Sequence, residues 1–410
     1  MSWSPEQDRA LVDVQRWLRE PGQQVYRLFG YAGTGKTTLA RHFAENVDGN
    51  VVFGAYTGKA ASVLRYKGCR NASTIHSLIY HSREKSAAVL KQLENELLKC
   101  IEELEQRGLN QEAIREHVAV KNLKAKIRAE RDNAARPAFV LNTDSPVKEA
   151  ELVVIDECSM VDGRMGEDLL SFGKKVLVLG DPAQLPPVAG AGFFTEGHQP
   201  DTMLTEIHRQ ASDNPIIALA TTVRSERMPA HGSYGDSMVL SKSSFDPATA
   251  LDFQQILCGK NATRKASNRR QRDLRGLPPG LPVAGDRAVC LRNNHEIGLL
   301  NGTVHIVHSA RPEDDATLHL TTEPEEGGQR LSCRAWRHYF EDAPGDLPFW
   351  ERKGAEEFDY GYALTVHKAQ GSQWGDVLLL DESYCFRSDK WKWLYTGLTR
   401  AAERVVIVEM

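Results

Sequence analysis

Residues 25–42 read VYRLF, GYAGTGKT, TLARH: a strand-like run, a glycine-rich turn and the start of a helical pattern. Gly30-Tyr31-Ala32-Gly33-Thr34-Gly35-Lys36-Thr37 is GxxxxGK[ST] in the strand–loop–helix setting that gives this motif meaning. Such a turn belongs at the carboxyl edge of a buried strand, which commits the surrounding chain to a parallel sheet with helices on both faces. Its chemistry is phosphate binding. Gly30, Gly33 and Gly35 let backbone N–H groups surround phosphate oxygens, and the helix N-terminus adds the positive end of its dipole. Lys36 is expected to bridge the β- and γ-phosphates of ATP and Thr37 to hold Mg²⁺, with Thr34 and Thr38 completing the loop. An ordinary glycine turn explains the glycines but not Lys-Thr in register.

More strands of the same type follow: VVFGAY from Val51, ELVVI from Glu151 and KVLVL from Lys175. A second set, DVLLLDE from Asp376 and RVVIVE from Arg404, lies near the end of the 410 residues without a phosphate loop of its own. Two α/β units therefore bracket the chain. Between them, 82–135 has almost no Gly or Pro, and Leu90, Leu93, Leu97, Ile101 and Leu104 recur at helical spacing. After a turn at Gly108-Leu109-Asn110, Ile114, Val118, Leu123 and Ile127 do the same. This predicts an antiparallel helical hairpin with arms about 35–40 Å long, flanked by the short strands LIYH and AFVLN. From Leu281 to Gly354 the short alternating runs RAVCLRN, TVHIVHS and TLHLTT predict a small β insertion, with acidic turns exposed.

Charge and cysteines narrow the class. With 51 Lys+Arg against 55 Asp+Glu the formal charge is −4, so a polyanion would be gripped in a local groove rather than over the whole surface. No signal-peptide pattern or long apolar run is present, and an intracellular protein without a membrane span is expected. Cys69, Cys100, Cys158, Cys258, Cys290, Cys333 and Cys385 lack metal-site spacing and read as reduced, mostly buried small hydrophobes.

Asp156 and Glu157 follow the apolar run ELVVI, at the edge where the phosphate loop also opens. Asp156 is expected to hold Mg²⁺ and Glu157 to orient and deprotonate an attacking water. Hydrolysis also needs positive charge on the γ-phosphate. Arg209 in LTEIHRQ and Arg400 in YTGLTRA are candidates, though composition cannot select them from the other arginines.

In order, GYAGTGKT, AYTGKAA, TIHS, VVIDECSM, GDPAQLPPV, LTEIHRQ, ALTVHKAQGSQWGDVLLL and YTGLTRA resemble the motifs of superfamily 1 helicases, most closely the 1B branch of RecD/Dda-like enzymes. The resemblance implies two RecA-like P-loop domains with parallel sheets, a helical-hairpin or pin insertion and a small SH3-like β insertion. Motor domain 1 would take 1–77 and 148–205, the pin 78–147, motor domain 2 206–280 and 355–410, and the β insertion 281–354. It also implies that Gln7 reads adenine, Gln184 senses the γ-phosphate, Arg209 and Arg400 reach it across the cleft, and Gly371 and Gln373 meet the nucleotide. At Gln373 many relatives carry Glu.

Thr57, Lys59, His76, Thr365, His367 and Lys368 match positions associated with DNA contact. Their side chains suit phosphates without reading sequence, although His76 and His367 also read as structural histidines. The basic segment 261–275 resembles a region that brings an Arg and an Asn near the cleft, with Arg264, Asn268 and Arg272 the choices and a solvated helix the alternative. Lys121, Lys124, Lys126, Arg128 and Arg131 on the second hairpin arm either track duplex or dock a protein, or simply solvate a helix face.

The resulting expectation is an ATP-dependent, 5′-to-3′ helicase acting on single-stranded DNA and its junctions with duplex. It would work as a monomer, with replication or recombination proteins as partners of the hairpin. Two rivals remain: an ATP-switched interaction module, and the motor subunit of an exonuclease complex.

Overall fold

A computed structural model describes residues 3–82, 87–108, 113–114, 117–135, 139–186, 192–206, 214–294, 297–341 and 354–410. Ser4 starts the first helix, Pro5–Arg19, by a capping box: its hydroxyl accepts from the Gln7 N–H while the Gln7 side chain accepts from the Ser4 N–H. Strands β1 (Val25–Gly30), β2 (Val51–Ala55) and β3 (Ser73–Thr74) follow, and the chain then enters a separate compact unit, His76–Ser145. In that unit β4 (Tyr80–Ser82) pairs antiparallel with β5 (Phe139–Leu141), Tyr80 opposite Leu141. Helices Ala87–Gln106 and Val118–Ala135 pack through Leu104, Ile114 and Val120, with Leu97, Cys100 and Ile101 alongside.

Val118, expected in this seam, is 70% exposed. It opens its helix, and the inward stripe instead runs through Val120, Leu123 and Ile127 at the same three-to-four spacing. Lys121, Lys124 and Lys126 are exposed; the side chains of Arg128 and Arg131, and residues 109–110 of the turn, lie outside the described part.

Strands β6 (Leu152–Asp156), β7 (Lys175–Gly180) and β8 (Thr202–Leu204) complete the first sheet in the order β3-β2-β6-β7-β1-β8, with parallel pairing throughout its described residues. β6 and β7 are buried along almost their whole length, which is why they read as unbroken apolar runs. The order sets the carboxyl ends of β6, β7 and β1 side by side.

The second large sheet begins with β9 (Gly232–Tyr234), β10 (Ser237–Ser241) and β11 (Gln255–Cys258). The chain then builds β12 (Arg287–Cys290), β13 (Val304–Pro312), β14 (Thr317–Pro324), β15 (Leu331–Trp336) and β16 (Phe358–Tyr360), antiparallel in the order β15-β14-β13-β12-β16. It returns with β17 (Ala363–Thr365), β18 (Trp374–Asp381) and β19 (Ala401–Glu409), giving β17-β11-β18-β19-β10-β9, parallel except at the β9–β10 hairpin.

Two expected boundaries move. Phe358–Tyr360, assigned from sequence to the second motor unit, pairs with β12 and belongs to the small sheet. The separate unit is His76–Ser145 rather than 78–147. Five of the seven cysteines are buried, and burial pushes the thiols of Cys258 and Cys290 up to about 12. Among the described residues, no helix is long and apolar enough to cross a membrane.

His305 gives the small sheet a pH dependence. It is 1% exposed, with its ring nitrogens against the hydroxyls of Thr303 and Thr322. Burial lowers its pKa from 6.5 to about 4. The unfolded chain therefore takes up a proton before the folded one does, so stability is full above the ordinary histidine value and falls as pH drops through the window down to the folded value. Urea unfolding is expected to show a loss on the order of 3 kcal/mol across that window, and His305→Gln should flatten the slope.

Candidate active site

The P-loop is braced from inside. Gly33 and Gly35 take φ of +80° and +77°, the left-handed region that only glycine adopts cheaply. A Cβ on Gly30 would sit 2.6 Å from the Thr34 hydroxyl, which is fully buried and donates to the Tyr31 carbonyl. Thr34 thus supports the loop rather than facing a ligand. The Lys36 ammonium donates to the carbonyls of Gly30 (2.6 Å) and Tyr31 (3.0 Å). Thr38 lies in the helix Lys36–Ala44 that the loop opens. Gln7 is 2% exposed and donates from Nε2 to the Thr34 carbonyl, so the element expected to read adenine is anchored on the phosphate loop.

Next to the loop, at the end of β6, the Thr37 hydroxyl donates to Asp156 Oδ2 at 3.0 Å. These are two hard oxygen donors on one spot, as few protein ligands as Mg²⁺ takes when phosphates and waters supply the rest. The site therefore fits the ion. Among the described residues no cluster of three or more His, Cys, Asp or Glu forms an all-protein metal cage.

Glu157 follows in a left-handed conformation, φ 53° and ψ 44°, a strained backbone for a non-glycine residue of the kind concentrated at functional sites. Burial raises its pKa, and the Arg400 guanidinium, 3.9 Å from its Oε1, opposes the rise. Arg400 comes from the second large sheet and is itself 6% exposed, held by the carbonyls of Thr396 and Ser372. Gln184, 7% exposed on the segment after β7, leaves Oε1 buried and, among the described residues, without a hydrogen-bond partner. Asp156, Glu157, Gln184 and Arg400 line one cavity of about 190 Å³ with Lys36, Thr37, Gly371 and Gln373. Gly371 is close-packed there: a Cβ would meet the Thr57 hydroxyl at 2.8 Å.

An adjoining cavity of about 390 Å³ contains Lys59, Gln373, Trp374 and the acidic turn of the small sheet. Lys59, expected on a DNA strand, is 6% exposed, ion-paired to Glu326, and lowered by burial to about 8. Thr57 caps its helix by accepting from the Ala60 N–H. Thr365 is 8% exposed. His367 is half-buried against Phe386, and burial lowers its pKa, while Lys368 is exposed. His76 lies in the separate unit with its ring against Tyr80, and Arg209 lies outside the described residues.

Arg264, Asn268 and Arg272 do not reach the cleft. They form one buried face of the helix Asn261–Leu274, spaced one turn apart. Arg264 pairs with Asp359 at 2.7 Å, Asn268 exchanges bonds with Tyr360 and Ala363, and Arg272 pairs with Asp286 at 2.9 Å. This face fastens the helix to β16, β17 and the loop before β12. The solvated-helix alternative also fails for these three residues.

Sequence reasoning gave no individual role to Tyr395, on the helix Lys390–Leu398, or to Asp181. The phenol donates to Asp181 Oδ2 at 2.8 Å and accepts from the Ala32 N–H of the P-loop at 2.9 Å. Both residues sit in motifs quoted above, but nothing in their spacing says that they meet.

Residues 3–241 match the AAA domain family and 360–408 the UvrD-like helicase C-terminal domain. The chain belongs to the AAA domain family. Its P-loop domain carries the motif order of superfamily 1B. It is 28% identical, over 93% of its length, to the ATP-dependent RecD2 DNA helicase of Deinococcus radiodurans, and covers 46% of that relative. It is 25% identical, over 62% of its length, to the ATP-dependent DNA helicase Pif1 of Bdellovibrio bacteriovorus, and covers 65% of it. The chain thus spans about half to two thirds of the curated relatives it matches. Bacteroides Pif1 bound to single-stranded DNA shares the fold at TM-score 0.53 and 17% identity, covering 99% of this chain and 92% of that one. Pif1 helicase from Candida albicans does so at 0.52 and 18%, covering 100% and 95%. Two RecA-like domains are the shared architecture.

Since Arg272 is structural, Arg272→Ala should cost about 3–5 kcal/mol in urea unfolding, the usual effect of stranding a buried charge such as Asp286. Fluorescent-nucleotide affinity of the folded fraction should stay unchanged.

Proposed function

We propose that the chain is an ATP-dependent DNA helicase that moves 5′ to 3′ along single-stranded DNA, acting as a monomer inside the cell and opening duplex at single-strand/double-strand junctions. The observation that carries this reading is Arg400 of one sheet lying 3.9 Å from Glu157 of the other. A hydrolytic set split between two domains makes turnover depend on closure and lets hydrolysis drive reopening. The same set counts against a switch without turnover, and the likeness to RecD2 and Pif1, both ATP-dependent DNA helicases, supports unwinding over a bare motor-subunit role.

In this reading Lys36 and the loop amides hold the phosphates of ATP, and Gln7 meets the base. The Glu157 carboxylate orients the attacking water and accepts its proton, which its raised pKa favours. Gln184 offers its buried Oε1 as an acceptor to that water, and Arg400 and Arg209 supply positive charge at the γ-phosphate. Thr37 and Asp156 would hold Mg²⁺, which neutralises phosphate charge when bound. Thr57, Lys59, Thr365, His367 and Lys368 grip the strand; His76 is a further DNA contact, and the hairpin docks replication or recombination proteins.

ATPase rates with and without single-stranded DNA, together with unwinding of 5′- and 3′-tailed duplexes, test the proposal. DNA-stimulated hydrolysis and unwinding from 5′ tails are expected; unwinding only from 3′ tails would overturn the direction. Lys36→Ala should abolish turnover with the fold intact. Because Glu326, itself more than half exposed, holds the buried Lys59, Glu326→Gln should leave the ammonium to a strand phosphate and tighten single-stranded DNA binding roughly two- to five-fold, the scale of an ion pair with one partner at the surface.

A further inference from the structure

We infer that Tyr395 is a positioning residue of the hydrolytic site, whose hydroxyl ties the P-loop and the Asp181 segment to the helix end that carries Arg400. The inference rests on the ATPase reading above. Tyr395 is 1% exposed, in an apolar cluster with Trp393, Leu394 and Leu398 that a phenylalanine ring would fill equally well. A hydroxyl in such a place is costly unless it is bonded, and this one has two partners from distant segments, Ala32 N–H and Asp181 Oδ2.

Each partner leads to a different part of the site. Ala32 directly precedes Gly33 in the phosphate loop. Asp181, 2% exposed, also accepts from the Ala183 N–H, and its carbonyl accepts from the Gln184 N–H, so the carboxylate that accepts the phenol's hydrogen bond also shapes the turn presenting Gln184. On the other side, the Thr399 hydroxyl donates to the Tyr395 carbonyl and Arg400 Nε to the Thr396 carbonyl. The guanidinium is therefore fixed to the phenol through about one helical turn.

The neighbouring bonds from the Leu185 N–H to the Thr396 hydroxyl and from the Gln370 side chain to the Leu185 carbonyl join the same two sheets, but they reach neither the P-loop nor Asp181. One hydroxyl thus connects the phosphate loop, the Gln184 turn and the arginine. Removing it displaces reacting groups without removing any group that touches the nucleotide. The effect belongs in kcat, not in KM.

The test is Tyr395→Phe in the full chain, assayed for ATP hydrolysis with single-stranded DNA present and for fluorescent-nucleotide binding, with the thermal midpoint measured alongside. The expected result is a fall in kcat of about ten-fold, with KM and nucleotide affinity held within about two-fold. An unchanged kcat, or a loss explained wholly by unfolding of the sample, overturns the inference. So does a rise in KM matching the fall in kcat.

Hydrogen exchange at the Ala32 amide of the unmodified protein reads the same bond without a variant. Protection at the level of core amides supports it, and exchange as fast as an open loop overturns it. Absence of ATPase activity in the unmodified protein would defeat the functional reading instead, and Ala32 protection would still judge the phenol bond.

Discussion

The parallel pairing of β6, β7 and β1 is the constraint on which the site depends. In this register Val25 lies opposite Val176 and Leu152 opposite Lys175, so the three strands end together. The P-loop, the Asp156-Glu157 pair and the Asp181 turn then leave one edge within hydrogen-bonding reach of one another. A one-residue slip would exchange the two faces of β6 and carry Asp156 away from Thr37. The geometry of the site is in this sense a by-product of core burial.

One helix end beside the second sheet contributes three groups. Tyr395, Thr396 and Arg400 fall within six consecutive positions, yet they address the P-loop, the segment after Gln184 and Glu157 respectively. Charge placed this way matters because the groups are largely withdrawn from water: burial raises Glu157, and a nearby guanidinium limits the rise. The acidic turn on Lys59 follows the same logic, since an ammonium buried in that hollow needs a carboxylate.

Much of this was legible in the amino-acid order. The glycine loop, the buried strands at Leu152 and Lys175 and the paired acids at 156–157 each carry a local signal, because backbone freedom, strand burial and edge position leave marks on neighbouring residues. What failed were statements about facing. Arg264, Asn268 and Arg272 have the composition of a nucleic-acid or nucleotide surface, but their face turns inward to Asp359, Tyr360 and Asp286, ninety-odd residues away in two cases. Val118 and Val120 are indistinguishable by hydrophobicity; helix phase decides which is covered. Phe358–Tyr360 reads equally well as a strand of either neighbouring sheet, with only two residues between it and β17.

The sequence by itself determined the chemistry that is available: a phosphate loop, a carboxylate pair, a set of candidate arginines and two α/β units with insertions. These are short-range properties, written in consecutive residues. Only the tertiary structure decided which long-range pairs form: Arg400 with Glu157, Tyr395 with Asp181 and Ala32, Lys59 with Glu326. The physical reason is that a buried polar group must find a partner, and that partner is chosen by how sheets and helices pack, not by its distance along the chain.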